Sequence, residues 1–352
     1  MNYGKYENII RVAALTPQGA LLARRLCREL AGAQCWLPEA LAGEAGDRSF
    51  ARVSQVCAEA FAAGDNLVCV MAAGIVVRAL APHLRGKDRD PAVVVVDEAG
   101  KFAVSLLSGH LGGANALARQ VAQILGGVPV ITTATDVHGL PALDTEARRL
   151  GLVIENLPGI RVIHMAWLEG RAVGLVDPEG CLAELAGAHP QLFSPEKDLD
   201  AALGGGGPGV YAGWEERPWP TEWLILRPRN LVAGMGCHKG TPAVEILDFI
   251  KRAFQEEGLS LLSLKALATI EAKKAEPGLK EAAAMLGVDF LWFTAEELKT
   301  INAPHPSLAA ARHVGAASVS EAAALKAGGV ELILAKRKGK NVTLAVARGA
   351  WR

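Results

Sequence analysis

The stretch AVVVVDEAGKFAVSLLSGHLGGANALA (residues 92–118) decides much of the predicted fold. Two β-branched runs flank the turn residues 97–100, a pattern that predicts a β-hairpin. The second run, residues 102–107, ends in Ser-Gly-His and passes two further glycines before an Ala/Leu helix begins near Gly113 or Ala114. A hydrophobic core does not require this order of residues. It therefore indicates a loop with a role beyond packing.

Similar alternation of β-branched runs and helical patterns occurs toward both ends of the chain. Residues 8–15 precede a predicted helix near 17–31, and residues 66–73 precede the helical pattern GIVVRALAPHL. The alternation restarts at residue 231 and ends in a predicted hairpin, ELILAKRKGKNVTLAVAR (331–348). Such alternation is typical of α/β layers with parallel sheets. We predict an α/β protein with two layered α/β domains and mainly parallel sheets, joined by a small linking region.

The composition of the chain changes between about residues 151 and 230. The segment AALGGGGPGVYAG (201–213) has four consecutive glycines followed by a proline, which is typical of a flexible joint. We therefore predict an N-terminal domain over 1–145, a linking domain over 146–230 and a C-terminal domain over 231–352.

Charge and cysteine content narrow the functional classes. The 37 basic and 37 acidic side chains cancel, which argues against a nucleic-acid partner or a polybasic membrane surface. The six cysteines form no C-x-x-C pair, as expected in a reducing compartment. The chain shows no secretion leader and no apolar span of membrane length. These features predict a cytoplasmic protein without nucleic-acid or membrane partners, and they leave a homodimer open.

The loop SGHLGGAN (108–115) is the first candidate site. The first amides of a helix lack internal partners and favour anions, and glycines let the backbone approach a ligand closely. A histidine titrates near neutrality, so His110 is a candidate general base or acid. The alternative is that His110 and Asn115 only satisfy amides of the turn.

The loop GMGCHKGT (234–241) is the second candidate site. The dinucleotide fingerprint requires glycine where Lys239 stands, and the P-loop requires Gly-Lys-Ser/Thr instead of Lys-Gly-Thr. What remains is a nest of backbone amides that can bind an anion, with Lys239 beside it. Lys239 is expected to bind a carboxylate of a ligand. Cys237 has two interpretations, a thiol with a lowered pKa beside a helix start or a small packing residue.

Two weaker turns follow other predicted strands. Residues 72–82 carry Arg78, and residues 132–144 carry Asp136, for which a helix cap is the simplest interpretation. None of the histidines has the spacing of a metal-binding motif, so we predict no protein metal site.

These segments resemble the cobalt-precorrin-5A hydrolase (CbiG) family of anaerobic cobalamin biosynthesis. The resemblance covers residues 74–118, VITTATD (130–136), GMGCHKGT, SVSEAAALKAG (318–328) and NVTLAVAR (341–348). It implies an enzyme that opens a δ-lactone on the contracting corrinoid ring and expels the former meso carbon with its methyl group as acetaldehyde, a carbon–carbon bond cleavage. It also implies that the cobalt belongs to the substrate, so no resident cofactor is expected.

Applied to this chemistry, the loops provide a set of candidate residues. His110 is the predicted base, and Asp136 is the predicted second catalytic group. Both glycine-rich loops are expected to converge on one crevice wide enough for the macrocycle. The predicted substrate-binding residues are Ser108, Gly109, Gly112, Gly113, Asn115, Arg78, Lys87, Gly236, Cys237, His238, Lys239, Gly240 and Thr241.

Two other functional classes compete with this interpretation. One is a non-catalytic tetrapyrrole carrier in the same pathway, which would suit the C-terminal domain alone. The other is an α/β transferase for a phosphorylated or nucleotide substrate, because amide nests are generic; the broken fingerprints count against it. Besides the cobalt-precorrin substrate, the resemblance allows transient contacts with neighbouring pathway enzymes.

Overall fold

The computed structural model of the protein describes residues 9–86, 89–110, 112–305 and 318–351. The chain forms two compact units, Met1–Thr145 and Glu146–Arg352. None of the helices in the described ranges has the length and apolar character needed to span a bilayer.

The first unit is built on a seven-stranded sheet in the order β3-β2-β1-β4-β5-β6-β7. All neighbours are parallel except β5 and β6, which form the predicted antiparallel hairpin. The strands are β1 (Ile10–Ala14), β2 (Ala33–Pro38), β3 (Arg48–Phe50), β4 (Asn66–Val70), β5 (Val93–Val96), β6 (Phe102–Leu107) and β7 (Val128–Val130). The helices are α1 (Pro17–Glu29), α2 (Val53–Ala63), α3 (Ala73–Leu80), α4 (Ala114–Leu125), α5 (Ala134–Val137) and α6 (Leu143–Leu150), in which the division between the units falls.

Local sequence explains these elements. Helix α1 begins after Thr16, whose hydroxyl accepts the Gly19 amide, and Pro17 occupies the first helical position, where its missing N–H costs nothing. Its buried face includes Ala23 and Leu26, spaced by one turn. Burial of Leu26 alone stabilises the fold by roughly 2 kcal/mol. Strand β5 is four buried valines, as expected for a central strand covered on both faces.

The direction of β6 fixes where the loops of this unit lie. Helix α3 follows the carboxyl end of β4. Because β6 runs against β5, Leu107 pairs with Val93 at the opposite edge, where β5 begins. Strand β7 runs parallel to β6, so residues 131–136 leave the sheet at the same edge as residues 108–110. Two of the four predicted turns therefore meet, and the turn at 72–74 lies across the sheet from them.

The second unit contains two further sheets. The first has the order β10-β9-β11-β12-β8, parallel except for β8 against β12. Arg227, at the carboxyl end of β12, is fully buried and is bonded to Glu155, Glu216 and two backbone carbonyls. The elements are β8 (Val153–Ile154), α7 (Leu157–Leu168), β9 (Val173–Val176), α8 (Ala183–Ala188), β10 (Phe193–Pro195), α9 (Leu199–Gly204), β11 (Gly209–Ala212) and β12 (Trp223–Arg227).

The last sheet has the order β15-β14-β13-β17-β16. Strands β13, β14 and β15 are parallel, and β16 and β17 form the predicted C-terminal hairpin. The elements are β13 (Leu231–Cys237), α10 (Ala243–Glu256), β14 (Leu264–Ile270), α11 (Pro277–Leu286), β15 (Asp289–Phe293), α12 (Ala295–Lys299), α13 (Val319–Gly328), β16 (Gly329–Lys338) and β17 (Val342–Gly349). The α/β class with mainly parallel sheets is confirmed. The division into three domains stays a prediction, although the predicted linking region carries a sheet of its own.

Candidate functional site

The loop after β6 is a tight turn in which several backbone N–H groups are hydrogen-bonded within the loop itself. The N–H groups of Gly113, Ala114 and Asn115 donate to the carbonyls of His110, Ser108 and Gly109 at 2.9, 3.1 and 3.0 Å. A Cβ on Gly112 would lie 2.3 Å from Ser108 Cβ, so glycine is required there. The helix-start amides at 113–115 therefore stabilise the turn. Gly109 and Gly112 keep amides that have no acceptor among the described residues.

Asn115 lies beneath this loop and joins it to the end of β7. Only 4% of Asn115 is exposed. Its Oδ1 accepts from Ser105 Oγ at 2.7 Å, and its Nδ2 donates to Thr133 Oγ1 at 3.1 Å and Asp136 Oδ2 at 2.8 Å. Both ends of the amide are used within the protein. Asn115 thus holds the two chain segments at a fixed distance.

His110 and Asp136 form the centre of the cluster. His110 Nε2 lies 3.0 Å from Asp136 Oδ2 and 3.1 Å from the Thr135 hydroxyl, while Nδ1 lies 4.0 Å from Asp144 Oδ2. The His110 side chain is 19% exposed and that of Asp136 is 18% exposed. The imidazole is thus oriented by carboxylates yet still reachable from solvent, an arrangement suited to a general base or acid.

Asp136 stays ionised across the ordinary pH range. Burial alone would raise the pKa of its carboxyl, but hydrogen bonds from Thr133, Arg119 and His110 outweigh burial and lower this pKa to about 2. The Thr133 hydroxyl lies 2.6 Å from Asp136 Oδ2, and Arg119 Nη2 lies 2.8 Å from Oδ1. Ionised Asp136 accepts a hydrogen bond from Nε2 of His110 whenever that nitrogen carries a proton.

Asp136 is not the cap of its helix. Helix α5 begins after Thr133, and Asp136 is its third residue. Sequence reasoning missed Thr133, Arg119, Thr135 and Asp144 in this cluster. One local signal was present, because a threonine three residues before an aspartate resembles a capping box. The other contacts depend on the sheet and leave no local trace.

Arg78, one of the predicted cations, lies across the sheet from this cluster. Arg78 is exposed on α3 and donates to the Gly74 carbonyl at 2.9 Å. Lys87 lies outside the described residues. Asp90, nearby in the same loop, is buried and accepts the amides of Arg85 and Gly86 just before β5 begins.

The loop after β13 has a different character. Gly240 N–H donates to Glu276 Oε1 at 2.6 Å, and Thr241 is buried with its hydroxyl on the His238 carbonyl at 2.8 Å. The Gly240 amide lowers the pKa of Glu276, and Lys273 adds to this effect. A carboxylate of the same unit therefore occupies part of the predicted anion nest.

The other side chains of this loop differ in burial: Cys237 is half-buried, whereas His238 and Lys239 are exposed. Burial raises the pKa of the Cys237 thiol, so the lowered pKa considered from sequence is wrong and the packing role is the better interpretation. His238 and Lys239 are exposed, and a Cβ on Gly236 would lie 2.6 Å from Thr343 Oγ1. In the described parts of both units, no three His, Cys, Asp or Glu side chains come together as metal ligands.

Comparison with known proteins identifies the family. Three family models match in succession: the cobalamin synthesis G N-terminal model over residues 55–136, the cobalamin biosynthesis central region over 141–228, and the cobalamin synthesis G C-terminus over 231–347.

Full-length relatives agree with the family models. The cobalt-precorrin-5A hydrolase of Salmonella typhimurium is 36% identical over 99% of this chain and 100% of the relative. The cobalt-precorrin-5A hydrolase of Priestia megaterium is 34% identical over 96% of this chain and 94% of the relative. A crystal structure of a cobalamin biosynthesis protein G homologue from Sulfolobus solfataricus is 21% identical over 97% of both chains, with a TM-score of 0.35. The chain therefore belongs to the cobalt-precorrin-5A hydrolase (CbiG) family.

Proposed function

We propose that this protein is the cobalt-precorrin-5A hydrolase of anaerobic cobalamin biosynthesis, which hydrolyses the δ-lactone of its substrate and releases acetaldehyde to give cobalt-precorrin-5B. The two full-length relatives carry this hydrolase name. The observation that carries the residue assignment is the 3.0 Å contact between His110 Nε2 and Asp136 Oδ2 in a loop that solvent reaches. A carrier has no use for an imidazole oriented in this way.

The cluster supplies the groups that lactone hydrolysis needs. Attack on the lactone carbonyl builds negative charge on oxygen, and fixed amide donors stabilise such a charge. Gly109 N–H and Gly112 N–H are available donors beside His110. The imidazole removes a proton from the attacking group and returns it to the departing oxygen. Ionised Asp136 stabilises the imidazolium that forms between these two transfers.

Release of acetaldehyde requires a second proton transfer. In the ring-opened intermediate the hydroxyl proton is removed, the carbon–carbon bond breaks, and its electron pair passes to the macrocycle. His110 is the candidate base for this step as well. We therefore assign the protein to hydrolases that act on carbon–carbon bonds, with the cobalt carried by the substrate and no resident cofactor.

The substrate carries several carboxylates, for which the chain offers a few cations. Arg78, Lys87 and Lys239 remain the proposed contacts, together with the amides of both glycine-rich loops. Convergence of the two loops on one macrocycle stays a prediction, as do contacts with neighbouring pathway enzymes and a homodimer. The proposal keeps the cytoplasmic location expected from the cysteine pattern.

Multiple turnover distinguishes this enzyme from a carrier. Purified protein is mixed with excess cobalt-precorrin-5A, and acetaldehyde is measured with an alcohol dehydrogenase assay. We expect many equivalents of acetaldehyde per protein, whereas a carrier would bind the substrate and release none. A nucleotide or phosphate that raises the melting temperature would instead favour the transferase interpretation.

A further inference from the structure

Ser108 has an unusual backbone conformation at the point where β6 turns toward α4. Its φ is +58°, and it is the one non-glycine residue with positive φ among the described residues. Such a conformation costs roughly 1 kcal/mol or more for a residue with a side chain, and glycine would adopt it without this cost. A serine at such a position implies that its hydroxyl has a use.

The turn is arranged around this serine. Its Cβ occupies the space that a side chain on Gly112 would need. Its carbonyl accepts the first amide of α4, which anchors the residue at the helix start. The Ser108 hydroxyl itself has no hydrogen-bond partner among the described residues, and the residue is half-buried. The hydroxyl is thus positioned by the turn but makes no hydrogen bond within the described structure.

The neighbouring groups are those that activate a nucleophilic serine. A serine on a strained turn between a strand and a helix, followed by an amide that binds the oxyanion, is the arrangement of hydrolases that form acyl-enzymes. Gly109 directly follows Ser108 and keeps an unpaired N–H. His110 lies two residues away in the same turn, and Asp136 orients its imidazole. A serine hydroxyl, an imidazole and a carboxylate that orients the imidazole therefore belong to one turn and the helix beside it. The hydroxyl is not hydrogen-bonded to the imidazole in the structure, so this contact would form in the substrate complex.

We infer that Ser108 is the nucleophile that opens the lactone, an assignment that rests on the proposed function. Ser108 Oγ adds to the lactone carbonyl while His110 takes the hydroxyl proton. The lactone C–O bond breaks, and the freed alkoxide receives that proton from His110. Water, deprotonated by the same imidazole, then cleaves the acyl-serine ester and restores Ser108. One water is consumed, and the ring-opened acid with its free hydroxyl is the product that goes on to lose acetaldehyde.

The test compares turnover and covalent adduct in three variants. Ser108→Gly relieves the positive φ, so we expect a melting temperature equal to or above that of the wild type, with turnover lowered at least about a hundredfold. Ser108→Cys keeps a nucleophile and is expected to accumulate a thioester. Ser49→Ala, at an exposed serine of edge strand β3, is the matched control with unchanged turnover.

Acid-quenched samples are analysed by intact mass and peptide mapping during turnover. We expect an added mass equal to the substrate, or to the substrate less acetaldehyde, on the peptide that contains Ser108 in the wild type and in Ser108→Cys. Acetaldehyde release by Ser108→Gly within about threefold of the wild type would overturn the assignment in favour of direct water attack. Absence of acetaldehyde from the wild-type protein would instead contradict the proposed function.

Discussion

The loops after β6 and β13 have the same outline in sequence and different contents in the structure. Each passes from a strand through glycines into a helix. After β6, a buried asparagine ties the turn to Asp136, and His110 is oriented within that network. After β13, Glu276 occupies the Gly240 amide, and His238 and Lys239 extend into solvent. Glycine spacing alone therefore indicates only a turn with backbone amides near a helix start. The hydrogen-bonded polar side chains around His110 are what make the loop after β6 the better candidate for catalysis.

Among the substitutions that test the difference between the two loops, we expect the largest loss of turnover at His110. His110→Ala removes the base, so we expect turnover to fall about 10³-fold, within the range typical of general-base loss, with substrate affinity nearly unchanged. Initial rates of acetaldehyde release and fluorescence-monitored substrate binding measure the two quantities. The control is His189→Ala, at a histidine of the second unit. Unchanged acetaldehyde release by His110→Ala would remove this residue from the mechanism.

The next effect concerns the residue that positions Asp136. Asn115→Ala leaves Ser105 and Asp136 each without one partner, so we expect a loss of about 1–3 kcal/mol in the free energy of unfolding. Turnover should also fall, by roughly 10- to 100-fold, through a misplaced imidazole. Asn156→Ala, at an asparagine bonded to β12 in the second unit, should lose stability but keep kcat. If both variants keep kcat, the network around Asn115 is structural only.

The pH dependence of stability tests the hydrogen bonds of Asp136 without substitution of His110. The pKa of Asp136, about 2 in the folded protein, is below its ordinary value of 3.8. Ionised Asp136 therefore stabilises the folded state above about pH 4, and this contribution is lost as the pH falls toward 2. Urea unfolding at several pH values should show a stability gap between wild type and Asp136→Asn that narrows on acidification. A gap that stays constant with pH would contradict the assignment.

The smallest effect is expected in the loop after β13. Lys239 is exposed, and the proposed contact with a substrate carboxylate would contribute about 1 kcal/mol or less. Lys239→Ala should therefore raise KM by no more than about fivefold at unchanged kcat. Steady-state kinetics at low and moderate salt, with Lys251→Ala on α10 as the control, measure this change. A variant with normal KM and no turnover would indicate that the loop after β13, and not the loop after β6, carries the catalytic group.

Local patterns were sufficient to predict much of the architecture. Strand β6 was predicted with its observed bounds, and both hairpins follow from β-branched runs around turn residues. His110 and Asp136 were each predicted as candidates from a position after a strand, whereas their contact across 26 residues of chain was not. These features depend on residues close together in the chain, where periodicity and turn chemistry act directly.

Contacts made across the fold could not be predicted in the same way. Asp136 meets Asn115 because β6 and β7 end at one edge, which depends on the antiparallel direction of β6. Glu276 reaches Gly240 across 36 residues of chain. The pKa of Cys237 follows from burial, which outweighs the effect of the nearby Lys273. In each case the tertiary environment determines the property, and the sequence shows only the residue type.

The carboxylate of Glu276 already occupies the Gly240 amide in the turn after β13. An acid from solution does not simply add to the Gly240 amide but must exchange with a tethered competitor whose local concentration is high. Glu276 is also paired with Lys273, whose Nζ lies 3.4 Å from the carboxylate. Binding of an anion at this turn would therefore include the cost of displacing Glu276, which a ligand that makes several contacts at once offsets more readily than a small, singly charged acid.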